Sequence, residues 1–219
     1  MKKISLAIMF ALLTTAIFAQ DEKTSASNDH INSIFGNGKK TTVGWFVGPS
    51  AGYTRFSESD VALAGIQGGV IINHNFTIGL TAVGVANSDY LTYKQIVDTA
   101  LVRLEGGYGG LLLEYTLFPK SIVHLSFPLI IGGGQMSYIN KNETRNWDGE
   151  EWDCDDREID KDAFFVVEPG VRAELNVFKF MRLGVGVSYR YAPDLDLMNT
   201  SKSFINNFTA GASLKFGKF

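Results

Sequence analysis

The strongest constraint on this chain is an alternation of period two that recurs in separate segments. Successive side chains of a strand point to opposite faces, so such a segment has one face of each kind. From Met181, one phase reads Met181, Leu183, Val185, Val187, Tyr189 and Tyr191, against Arg182, Gly184, Gly186, Ser188 and Arg190. Further on, Phe208, Ala210, Ala212, Leu214 and Phe216 oppose Thr209, Gly211, Ser213 and Lys215. Phe165, Val167, Pro169, Val171, Ala173 and Leu175 oppose Phe164, Val166, Glu168, Gly170, Arg172 and Glu174. The pattern also runs from Val43 to Thr54, Thr77 to Ala82, Gly110 to Leu117 and Val123 to Gly132. Val61–Asn73 alternates poorly and is read as a strand because its neighbours need a partner.

The two phases differ in chemistry. One carries no charge. The other is rich in Gly, Ser and Thr and holds Glu114, Glu168, Glu174, Arg172, Arg182, Arg190 and Lys215. Two eight-stranded barrels compete for this pattern. A soluble lipocalin-like barrel puts its apolar face inside and would serve as a periplasmic lipid carrier. A membrane barrel is inverted, with apolar residues toward lipid. A water-facing surface would carry many Lys, Glu, Asn and Gln. Small residues with three acids and four bases suit a narrow packed interior. Aromatic residues fall near strand ends, among them Trp45, Tyr53, Phe118, Phe178, Phe180 and Tyr191, where membrane interfaces favour them.

The connections alternate in length. Asn73–Asn75, Pro119–Ser121 and Asn176–Lys179 are short; Asn87–Arg103, Asn140–Asp162 and Pro193–Lys202 are long. Short turns at one end and long loops at the other are the asymmetry of a transmembrane barrel of meander topology with both ends of the chain on the short-turn side. The first loop, Ser57–Asp60, departs from it. Pro128 and Pro169 fall inside strands of a barrel that has no free edge, which predicts local bulges.

Met1-Lys2-Lys3, the apolar run Ile4–Phe18 and the small Ala19 form a secretory signal peptide, residues 1–19. Residues 20–42 are polar and read as a flexible periplasmic leader, and residues 43–219 as the barrel. The chain has Lys+Arg 20 against Asp+Glu 23, a net charge of −3. That balance provides no footprint for nucleic acid. One Cys supports neither an internal disulfide nor a Cys-based zinc site, and no cofactor is expected.

With its signal peptide, its eight alternating segments and the terminal Ser213-Leu214-Lys215-Phe216-Gly217-Lys218-Phe219, the chain resembles the small OmpX/OmpA-type outer-membrane barrels, in the version common in Gram-negative Bacteroidetes-like bacteria. The resemblance implies an all-β, eight-stranded antiparallel barrel in the cell outer membrane, surrounded by outer-membrane lipid. It also implies a final strand, ending at Phe219, that is read by the barrel-assembly machinery. Phe219 is out of phase with Phe216 and Leu214, which predicts a bulge or a fraying end. A monomer is expected, without catalysis, acting in structure, adhesion or envelope interaction through extracellular loops toward a partner the sequence does not name.

Two constellations bear on chemistry. Asn140–Asp162 holds ten acids against Lys141, Arg145, Arg157 and Lys161. Its spacing is no EF-hand, since Asp153 stands where Gly is required, six positions into a loop starting at Asp148. Trp147, Asp148, Trp152, Asp153, Asp155 and Asp156 are its candidate interaction surface; Cys154 reads as a free thiol. His124-Leu125-Ser126, with Glu114 on the preceding strand, matches the His-x-Ser pair of lipid A-modifying outer-membrane enzymes. Those enzymes need the site open to lipid, whereas this phase points His124 and Ser126 inward. The glycine runs Gly106–Gly110 and Gly132–Gly134 lack the Lys-Ser/Thr of a phosphate loop.

Overall fold

A computed structural model describes residues 41–57, 59–86, 92–97, 100–140 and 158–219. The segments assigned to the signal peptide and almost all of the leader lie outside the described residues. The described chain is built from nine strands: β1 (Val43–Phe56), β2 (Ser59–Ile72), β3 (Phe76–Val85), β4 (Thr92–Val97), β5 (Ala100–Leu117), β6 (Val123–Asn140), β7 (Glu158–Phe178), β8 (Met181–Arg190) and β9 (Asn207–Lys218). Sequence neighbours pair antiparallel except β3 and β4; β3 pairs instead with β5, and β1 pairs with β9. Eight strands therefore close into a meander barrel. β4 stands outside the ring as a hairpin partner of β5, within the stretch expected to be loop.

The lengths are unequal. β5, β6 and β7 have 18, 18 and 21 residues, whereas β3 and β8 have 10 each. One wall of the barrel thus stands taller at the loop end. β7 already begins at Glu158, so Glu158, Asp160 and Asp162 belong to this wall and not to a free loop. At the other end the connections are tight. In the β2–β3 turn, Asn75 N–H donates to Ile72 O at 3.2 Å. Asn73 and His74 between them have φ of 53° and 64°, the paired left-handed geometry of a type I′ turn, which Asn tolerates.

Around most of its height the barrel is apolar outside. Val47, Ile66, Leu80, Leu111, Val185 and Val187 point outward and are exposed, Leu80 at 69%. Outward aromatics bound this band. Trp45, Phe118, Phe178, Phe180 and Phe216 lie toward the turn end, and Tyr53, Phe165, Tyr189, Tyr191 and Phe208 toward the loop end. Trp45 and Tyr53 are eight residues apart on β1. That is about 27 Å of strand, or roughly 20 Å along the barrel axis at a tilt of about 40°.

Toward the loop end the polarity reverses. Leu104, Tyr108, Met136, Tyr138, Phe164 and Val166 are buried inside the tall wall with Phe56, Val61 and Leu63, while Arg103, Glu105, Ser137 and Lys161 lie on its outer side. Gly134 makes room for this layer, because a methyl there would meet Tyr108 Cβ at 2.6 Å and Phe164 Cζ at 2.7 Å. The β8–β9 connection folds over the mouth and inserts Ala192, Leu195, Leu197, Phe204 and Ile205. It is tied down by Asp162, which accepts from Asp196 N–H at 2.7 Å, and by Asp160, which accepts from Met198 N–H at 2.6 Å. Burying four such large apolar side chains contributes on the order of 1.5–3 kcal/mol each.

Both in-strand prolines are accommodated without the expected bulges. On β6–β7 the pairs Ser126↔Arg172 and Leu129↔Pro169 keep one register, and the ladder omits the pairs between them. Proline lacks a donor, and omitting a rung satisfies that without adding a residue to the strand. Pro49 does the same on the β1–β9 seam, between Val47↔Phe216 and Ser50↔Ser213. At the chain's other end, Phe219 neither bulges nor splays outward. It turns into the barrel and, with Ile130, packs against the cluster of Phe46, Ile71 and Leu112 as a floor.

Candidate functional site

The inward phase builds two polar layers between the apolar floor and the apolar cap. The lower layer spans four strands. Lys215 Nζ on β9 lies 2.5 Å from Glu114 Oε1 on β5 and 2.6 Å from Glu174 Oε1 on β7. Arg172 Nη1 is 3.4 Å from Glu114 Oε2 and 3.7 Å from Glu174 Oε1. His124 Nε2 is 3.1 Å from Glu174 Oε2, its cross-strand neighbour on β7. Gly184 clears the space for Arg172, since a Cβ there would lie 2.6 Å from Arg172 Cδ. Arg182 does not join the ion pairs; its Cζ sits 4.0 Å from the centroid of the Phe219 ring. Stacking a guanidinium on an aromatic face is a favourable contact in a dry setting.

The upper layer has a different composition. Tyr108 OH donates to Glu168 Oε2 at 2.6 Å and Ser188 Oγ donates to Glu168 Oε1 at 2.5 Å. Arg190 is fully buried. Its Nη2 donates to Thr209 Oγ1 at 3.1 Å and to Thr54 Oγ1 at 3.3 Å, and its Cζ lies 5.1 and 5.2 Å from the ring centroids of Phe56 and Tyr108. Between the layers lies a cavity of about 80 Å³ whose lining draws on all eight barrel strands and includes Gln67, Tyr108, Glu168, Arg172, Ser188 and Thr209. That is room for a few waters.

The structure thus brings Glu114, Arg172, Glu174 and Lys215 into one network and places Glu168 and Arg190 in a second layer, while Arg182 sits apart on Phe219. His124, Ser126 and Glu114 do not assemble as a unit. The carboxylate beside His124 is Glu174, while Glu114 is engaged by Lys215 and Arg172. Ser126 Oγ and His124 Nδ1 have no hydrogen-bond partner among the described residues. Both side chains are buried in the lumen, and neither lines the central cavity.

Trp147, Asp148, Trp152, Asp153, Asp155 and Asp156 lie outside the described residues; the segment holding them joins Asn140 of β6 to Glu158 of β7 at the loop end. The apolar cap is the feature that alternation alone misses. Its signal was the change of residue type along the inward phase of β7, from Phe164 and Val166 to Glu168, together with Leu195, Leu197, Phe204 and Ile205 in an apparent loop.

No protein-family model and no curated protein matches the sequence. Solved structures do match in fold. Neisserial surface protein A, NspA, superposes with a TM-score of 0.50 at 13% identity, over 83% of this chain and 100% of that chain. Ail, the attachment invasion locus protein of Yersinia pestis, in complex with the heparin analogue sucrose octasulfate, gives a TM-score of 0.46 at 10% identity over 80% and 97%. The likeness to NspA concerns the fold.

Proposed function

We propose that this chain is a small outer-membrane β-barrel of the OmpX/OmpA type in a Gram-negative bacterium, exported by the signal segment Met1–Ala19. It acts without catalysis, through contacts made at its loop end in adhesion or envelope interaction. The observation that supports this reading is the polarity of the wall: apolar side chains face outward between two aromatic rims, and charges face a closed lumen. Only a closed barrel or a helix can satisfy the backbone in lipid. A soluble carrier would face the other way and would need an open apolar cavity; here the apolar interior near the mouth is occupied by the chain's own Leu195, Leu197 and Phe204.

The accessible chemistry lies at the loop end, where Trp147, Asp148, Trp152, Asp153, Asp155 and Asp156 are carried between β6 and β7. The last strand, with Phe216 outward, would present the assembly machinery with its signal, and the protein would work as a monomer. The test is to replace residues 143–156 with a Gly-Ser linker and display the chain on cells. Assembly in the outer membrane is expected to persist while attachment to host-cell or matrix surfaces falls. Attachment unchanged from that of cells displaying the parent chain would overturn the loop-end role.

A further inference from the structure

We propose that the lumen chamber is a binding site for a small monovalent inorganic anion of the chloride class. The first observation is charge. Between the apolar floor and cap, the described lumen carries three carboxylates, Glu114, Glu168 and Glu174, and four cations, Arg172, Arg182, Arg190 and Lys215. One formal positive charge is in excess over the lumen as a whole, with Arg182 lying on the Phe219 ring below the chamber. Asp160 and Asp162 do not offset it. They lie at the loop end of β7, where they accept backbone N–H groups from the β8–β9 connection.

The second observation is unmet donors. Arg190 Nε and Nη1 have no hydrogen-bond partner among the described residues, and no carboxylate pairs with its guanidinium. The two Glu168 oxygens are turned to Tyr108 and Ser188 instead. Gln67 is 4% exposed, its Nε2 also has no partner, and it lines the cavity. Arg172 and Thr209 line the same space, and Thr209 is the residue that Arg190 holds. Gln67, Arg172 and Thr209, from β2, β7 and β9, thus line one chamber together with the Glu168 carboxylate, and the Arg190 guanidinium lies behind Thr209.

Water would satisfy the donors and leave the charge. An uncompensated charge in a dry interior is strongly unfavourable, and an anion removes both defects. The cavity of about 80 Å³ accepts a halide with a few waters,. A divalent anion would reverse the excess rather than cancel it. The site depends on the closed lumen and not on the loop-end reading, so either can fail alone.

The test uses the full exported chain, folded in detergent. The temperature at which its compact form unfolds is measured in sodium chloride, sodium bromide and sodium gluconate at equal ionic strength. Halides are expected to raise it by about 3–6 °C over gluconate, the size expected for a ligand at roughly ten times its dissociation constant. Gln67→Leu and Arg190→Lys should shrink that difference, and crystals grown in bromide should show an anomalous peak in the chamber. Gln67→Leu carries the test by itself if Arg190→Lys does not fold. Equal temperatures in all three salts with no bromide peak, or a halide effect that persists unchanged in Gln67→Leu, would overturn the site.

Discussion

Lys215 Nζ lies 2.5 Å from Glu114 Oε1, although β9 and β5 share no ladder. The contact reaches across the lumen, and the same ammonium is 2.6 Å from Glu174 Oε1. One cation therefore holds two buried carboxylates that would otherwise repel each other.

Lys215→Met should leave Arg172, at 3.4 Å from Glu114 and 3.7 Å from Glu174, as the one described cation held against that pair of carboxylates. Breaking a buried ion pair by removing one partner costs about 3–5 kcal/mol. Adding Glu114→Gln to the variant should recover part of the loss, with a coupling of about 0.5–3 kcal/mol. Urea unfolding from lipid vesicles measures both. Simple additivity would mean that the pair is not formed.

The outer face gives a second expectation. Val185 is 55% exposed in the middle of the apolar band, and Val185→Arg there should cost about 2–4 kcal/mol in vesicles. Ser137→Arg, on the outer side of the tall wall between Glu105 and Lys161, should cost about 0–1 kcal/mol. Equal costs would contradict the change of polarity along the wall.

The β8–β9 connection supplies a third. Leu195 is fully buried and Met198 is exposed on the same segment. Leu195→Ala should cost about 2–5 kcal/mol and admit protease between residues 192 and 206, whereas Met198→Ala should stay within about 0.5 kcal/mol. Cleavage is read by mass after limited digestion. Resistance in Leu195→Ala would mean that the cap is held by its hydrogen bonds alone.

Much of this architecture was legible because a narrow lumen is demanding. From Arg182 to Arg190 every second residue must be small or polar, and every other one must suit an apolar surround, so β8 reads without ambiguity. β2 reads poorly for a physical reason. Val61, Leu63 and Ile71 point inward into the cap and the floor, so both of its phases are apolar. β4 was hidden in an expected loop because a hairpin outside the ring need not alternate in the same way. The pairing of Lys215 with Glu114 depends on how strands stagger around the ring, which no single strand records. Phe219 shares the phase of Ser213 and Lys215, so alternation already directs it inward, whereas its packing on Phe46, Ile71 and Arg182 depends on residues of other strands.

His124 and Ser126 bear on catalysis. With both buried in the lumen and His124 committed to Glu174, His124→Ala should leave the acyl composition of lipid A unchanged in cells expressing the protein. Mass spectrometry of extracted lipid A measures it. An expression-dependent loss of an acyl chain that disappears in His124→Ala would establish an enzyme.

The central claim is a closed barrel that presents its apolar face to lipid. Its most direct test is the gel mobility in SDS of the membrane-extracted protein, unheated against boiled. A closed barrel resists SDS, so the unheated band should run faster and shift on boiling. A single unshifted band, with the protein recovered in the soluble periplasm, would contradict the membrane barrel.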